Sequence, residues 1–125
     1  MAQTAAFIFV GIIAALCVFQ IALAAGAPLG RFAWGGAQER LPTPLRIASL
    51  ASLLIYGACA AIILDKAKLL DVLGDGISHV GAWVVAGFMS LGVVMNAISR
   101  SRPERFTMTP VAFALAASGY VVAMS

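Results

Sequence analysis

Four long apolar runs, separated by three polar connectors, govern what this chain can fold into. They cover about 5–25, 45–64, 79–98 and 109–124, and none has Asp, Glu, Lys or Arg near its centre. In a helix rising 1.5 Å per residue, roughly 20 residues cover the ~30 Å hydrocarbon core of a bilayer. Lipid offers no partner to a backbone N–H or C=O, and four spans are too few to close a barrel. Each run is therefore expected to be a helix. Residues 1–125 are expected to form a single all-α transmembrane domain, an integral membrane four-helix bundle. Composition agrees: 62% of the residues are hydrophobic, 10% are charged, and the mean hydropathy is +1.02. Water-soluble domains are roughly 45–50% apolar and about 25% charged. The first run is not read as a cleaved secretory signal, because no Lys or Arg precedes Arg31 and the run is long enough to span.

The connectors are 26–44, 65–78 and 99–108. The first and third fall on one side of the bundle. With the adjacent helix ends they carry Arg31, Arg40, Arg46, Arg100, Arg102 and Arg105. The second carries only Lys66 and Lys68, among Asp65, Asp71 and Asp75. Positive charge marks the cytoplasmic side. The imbalance therefore places the arginines in the cytoplasm and both termini outside it, as in a bacterial inner membrane protein. The net charge of +3 and the pI of about 9.3 come from these connector residues. Membrane and anionic lipids, not nucleic acid, are the expected partners. The segment 66–76, "KAKLLDVLGDG", reads as a short amphipathic piece lying on the outer interface with its leucines down.

The halves of the chain share features. Glu39-Arg40 and Glu104-Arg105 each precede a Thr-Pro pair, Thr43-Pro44 and Thr109-Pro110, expected to open helices two and four. A pair of helical hairpins running in the same direction is one reading; coincidence plus ordinary capping is the other.

The stretch 26–36, "GAPLGRFAWGG", raises the question of a nucleotide loop. Its spacing fits neither a Gly-Lys-Ser/Thr phosphate loop nor Gly-x-Gly-x-x-Gly after a strand. A structural reading fits: Gly26 and Pro28 stop helix one, Trp34 is an interfacial anchor in the headgroup layer, and Gly35-Gly36 reverse the chain. The six arginines form a candidate anion or lipid-headgroup site, since guanidinium forks match phosphate oxygens. Gln20, Asn96, Ser49 and Ser52 are expected at a similar depth and could line a polar pocket opening to them. The alternative is that these arginines set topology and meet bulk lipid.

Other groups suggest no chemistry. Cys17 and Cys59 lie at depths differing by roughly 10 Å, beyond the ~7 Å Cα separation a disulfide tolerates, and read as packing residues. His79, the single histidine, reads as a helix-start residue rather than part of a metal site. It also excludes a bis-histidine haem, and no cofactor is expected. Small residues such as Ala48/Ser52, Gly57/Ala61, Gly81, Gly87, Gly92 and the run "ALAASG" supply close helix contacts within the bundle or toward a partner.

The stretches "GAPLGRFAWGG", "LPTPLRIAS" and "NAISRSRPER" resemble a group of small four-helix bacterial membrane proteins. In that group a Gly-Ala-Pro/Trp-Gly-Gly loop precedes helix two and a Ser-Arg-Ser-x-x-Glu-Arg loop precedes helix four. The resemblance spans most of the chain. It implies the four-span topology and gives weight to both loops, but implies no activity and no site residues.

Two expectations about function follow. With no central acid, nucleophile–base pair or metal cluster, the first is a non-enzymatic subunit or interaction partner of a membrane complex. It would bind anionic lipid through its arginine face and meet a protein partner or further copies of itself. The second is a small transporter or channel for an anion or phosphate-bearing lipid, which requires Arg31, Arg46 and Arg100 to converge around Gln20 and Asn96. A lipid enzyme would have to use Glu39 or Glu104.

Overall fold

The computed structural model describes residues 1–125 and is entirely helical apart from its connectors. The helices are α1 (Ala2–Ala24), α2 (Thr43–Lys66), α3 (Asp75–Ala97) and α4 (Arg102–Ala123). Each is long and apolar enough to cross a membrane. They form a ring in which α1 packs on α2, α2 on α3, α3 on α4 and α4 on α1, with the closest packing between α3 and α4. Connectors 25–42 and 98–101 lie at the arginine end, and connector 67–74 lies at the lysine end. Both termini also lie at the lysine end, where the Lys66 ammonium donates to the Ser125 main-chain oxygen at 2.6 Å.

The helix ends follow from local chemistry. At the end of α1, Gly26 N–H donates to the Leu23 carbonyl and Ala27 N–H to the Ala22 carbonyl. This is a complete Schellman motif, which requires a left-handed residue, and Gly26 has φ 96°. The same pair of bonds ends α2, with Lys68 and Leu69 donating to Asp65 and Leu64. There the left-handed position falls to Lys68, at φ 65°.

Two expectations about boundaries are corrected. Segment 66–76 is not one continuous amphipathic piece: α2 stops at Lys66, residues 67–74 form a turn, and α3 starts at Asp75. The cause is Asp65, a buried carboxylate whose Oδ2 accepts the backbone N–H groups of Val72 and Leu73, both at 2.8 Å. It folds the turn back onto the end of α2. Val72 is left pointing out at 65% exposure, while Leu69 packs against the core. The second correction concerns Thr-Pro. Thr43-Pro44 does open α2, but α4 begins at Arg102, with Ser101 as N-cap and Pro103 in the first turn. Thr109-Pro110 therefore lies inside α4, and the correspondence between the two pairs fails. Pro110 takes an N–H away from the helix ladder, an interruption that a helix packed among others in lipid tolerates.

The bundle is built of small residues inside and large ones outside. Ala6, Ala82, Ala86 and Ala116 join Phe9, Leu115 and Val122 in the buried centre. Phe7, Val18, Leu54, Val84 and Phe113 are all more than half exposed. Water would penalise such a surface, whereas lipid does not. Cys59 belongs to the core and Cys17 packs against it, both unpaired. Of the small residues, Gly119 lies against the backbone of a neighbouring helix, its absent Cβ position 3.6 Å from the Ala86 Cα and 3.7 Å from the Phe9 ring. Gly81 sits against Ile62 in the same way, whereas Gly57 and Gly87 have nothing within 4 Å and face outward.

Gly119→Leu should therefore force α3 and α4 apart and destabilise the bundle by about 1–3 kcal/mol, as overpacking does. Gly57→Ala should leave stability unchanged within about 0.5 kcal/mol. Unfolding in mixed micelles with increasing dodecyl sulfate measures both.

Candidate functional site

The connector 25–42 folds into a cap over the arginine end of the bundle. It contains two single-turn 3₁₀ segments, Gly30–Phe32 and Trp34–Gly36, and both contact α4. Leu29, Ala33 and Leu41 pack with Leu23, Phe19 and Leu45 in a small apolar cluster of their own. Polar ties complete the cap. Gly30 N–H donates to the Glu39 carbonyl at 2.8 Å. Arg40 donates to the Gly26 carbonyl at 3.0 Å, and Arg46 to the Leu41 carbonyl at 2.7 Å. The Ser101 hydroxyl, at the start of α4, donates to the Arg31 carbonyl.

This geometry explains the glycines. A Cβ at Gly30 would overlap the main-chain oxygen of Gln38 and lie 2.8 Å from that of Glu39. At Gly36 it would overlap the Ser101 side chain. Gly35 and Gly36 have φ of 82° and 73°, so the expected reversal is left-handed, and Trp34 shares that conformation at φ 51°. A non-glycine residue there stores about 1–3 kcal/mol of strain, which its surroundings must offset. The offset is visible: the indole N–H of Trp34 donates to the buried Ser49 hydroxyl at 3.1 Å. Trp34 is 43% exposed at the arginine end. Its polar edge is turned into the bundle, toward α2.

Beneath the cap lies a cavity of about 390 Å³ walled by all four helices, with Phe32, Ala33 and Trp34 as its roof. Gln20 from α1, Ser52 and Tyr56 from α2, Asn96 from α3 and Glu104 from α4 contribute its polar groups. Gln20 and Glu104 are each only 7% exposed. Glu104 accepts the Ser99 hydroxyl. The Gln20 side chain lies beside Tyr56, and its carbonyl oxygen is buried without a hydrogen-bond partner. Asn96 and Ser52 donate back to their own helices, to the carbonyls of Gly92 at 2.7 Å and Ala48 at 3.0 Å. At the lysine end α2 and α3 touch, Gly81 against Ile62. Toward the arginine end the cavity lies between them, rimmed by Ile55, Phe88, Leu91 and Met95, each about half exposed.

Of the four residues expected to line a polar pocket, Gln20, Asn96 and Ser52 lie on the wall of this cavity and Ser49 does not; the cavity is mostly apolar and no arginine lines it. The convergence of Arg31, Arg46 and Arg100 around Gln20 and Asn96 does not occur. Arg40 and Arg46 are drawn to carbonyls of the cap, because a helix end and a tight loop leave acceptors that need donors. Arg31, Arg100 and Arg102 are exposed on the rim of the arginine end. Arg31 stacks over Phe32 at 5.1 Å, and Arg105 over Phe106 at 4.9 Å. Ser101, between Arg100 and Arg102, bonds the Arg31 main chain, so the three residues are neighbours along the backbone. Glu104 was not anticipated as a cavity residue. Its signal was present: Ser101, Pro103 and Glu104 form the Ser-x-x-Glu pattern with early Pro that marks a helix start. At the other end, His79 shares a polar cleft of about 280 Å³ with Lys66, Lys68, Asp75 and Ser78.

Comparison with protein-family models, curated proteins and solved structures gives no match.

If Gly30 is the point on which the cap closes, Gly30→Ala should open it. Trypsin should then cleave after Arg31 and Arg40 at least tenfold faster in micelles. Gly35→Ala strains the backbone but meets no neighbour within 4 Å, so its effect should be clearly smaller.

Proposed function

We propose that this chain is a non-enzymatic integral membrane protein serving as a small subunit or interaction partner of a membrane complex. Its arginine face binds anionic lipid. The observation that carries this reading is the patch of Arg31, Arg100 and Arg102, exposed together where Ser101 ties the cap to α4. Guanidinium groups free of internal carbonyl partners, on one rim of an apolar bundle, suit the phosphates of a lipid surface. Arg105, stacked on the exposed Phe106, has the half-apolar surroundings of a headgroup layer. The charge imbalance between the ends, six arginines against two lysines, favours an arginine end in the cytoplasm of a bacterial inner membrane and termini on the opposite side. The partner reading is supported by economy of structure: nearly every residue belongs to a span or to the cap, so a complex would be made through the exposed helix faces.

Native mass spectrometry of the protein gently extracted from its own membrane tests both parts. A stoichiometric protein partner, or a homo-oligomer carrying anionic lipid, is the expected result. A bare monomer that retains no lipid would overturn the reading. Replacing Arg31, Arg100 and Arg102 together with Gln should lower retention of phosphatidylglycerol by more than tenfold, at about 1 kcal/mol per arginine. The same change at Arg40 should instead loosen the cap.

A further inference from the structure

We infer that the cavity under the cap binds a membrane-dissolved amphiphile whose head is a protonated amine, entering sideways between α2 and α3. Glu104, an acceptor, is the one charged side chain that lines the cavity. The Gln20 carbonyl oxygen is buried in its wall with no partner. A buried acceptor left unpaired is costly, and a bound donor would remove that cost. The Glu104 carboxylate, also 7% exposed, has a single hydroxyl bound to it and further lone pairs free to accept. Three of the lining side chains donate within the protein, Asn96 to Gly92, Ser52 to Ala48 and the Trp34 indole to Ser49. No Lys, Arg or His lines the cavity, so an anionic head would meet a carboxylate and no counter-charge. An ammonium head meets a carboxylate, a carbonyl and the aromatic side chains of Trp34 and Tyr56, a residue type that attracts cations. An N–H-bearing amine fits better than a quaternary one, because only the former can donate a hydrogen bond to the Glu104 carboxylate.

The rest of the ligand is set by the walls. Most of the lining is apolar, and its rim residues Ile55, Phe88, Leu91 and Met95 belong to the outer, lipid-facing surface. An alkyl chain can leave the cavity through that gap and lie along α3. About 390 Å³ holds a head and the first part of a chain, within the size range of small-molecule sites. A lipid with an amine head and a free long-chain amine share this chemistry.

The test uses the full chain with Trp83→Phe, which leaves Trp34 as the one indole, in nanodiscs of phosphatidylcholine. Trp34 emission is titrated with dodecylamine, dodecanol and dodecyl sulfate at pH 7. Dodecylamine should saturate at a mole fraction at least tenfold below the other two. Gln20→Leu and Glu104→Gln should each raise that mole fraction about tenfold. Should either variant fold poorly by circular dichroism, Leu91→Trp, read by native mass spectrometry of bound dodecylamine, blocks the exposed rim without touching the polar groups and should abolish binding. Equal response to the amine and the alcohol would overturn the proposal, as would preference for the sulfate. So would dodecylamine binding that none of these substitutions weakens. Displacement by phosphatidylethanolamine assigns the site to a lipid headgroup. Failure of displacement assigns it to a free amine.

Discussion

The end of α1 sets the arrangement of everything at the arginine end of this molecule. A helix that stops leaves carbonyls without donors, and here the chain must satisfy them close to a lipid boundary. Gly26 closes the last turn upon itself, and the guanidinium of Arg40 takes the Gly26 carbonyl. Arg46 then draws in the carbonyl of Leu41. These bonds bring the two ends of the connector together, so the intervening residues must fold back as a compact cap. The cap in turn needs residues with no Cβ where strands of backbone cross, at Gly30 and Gly36. Its roof residues then close one end of a cavity that the four helices alone would leave open.

The spans were legible in the sequence because lipid imposes one rule that admits no exception: backbone groups bond within the segment. Runs of apolar residues without central charge can obey it only as helices. The boundaries were less legible, and for specific reasons. Thr-Pro is a start signal in water, but in lipid a proline can also sit in mid-helix, as Pro110 does. The pattern at Ser101–Glu104 was the truer start, and it was hidden by the run of arginines around it. The leucines of 66–76 show a helical spacing, yet a single carboxylate, Asp65, captures two N–H groups and turns that segment into a hairpin-like bend.

The candidate site divides in the same way. Its depth was readable, since Gln20, Ser52 and Asn96 do face one cavity. Its chemistry was not. Composition makes the arginines conspicuous, but an arginine near a helix end competes for backbone carbonyls as readily as for a ligand. Arg40 and Arg46 are held in this way. Conversely, Glu104 looked like a connector residue paired with Arg105, and only the early start of α4 turns it inward. Sequence distance from a span says little about burial when a cap can be folded over the end.

The unequal contact of α2 and α3 gives the bundle a polarity that charge alone does not. The two helices meet at the lysine end, where Gly81 accepts Ile62, and line the cavity together toward the arginine end. In a bilayer, the opening therefore faces a single leaflet. Molecules dissolved in that leaflet reach the cavity by lateral diffusion, while those in the opposite leaflet meet a closed seam. Occupancy of the cavity would thus follow the composition of one face of the membrane and change with any process that moves amphiphiles across it.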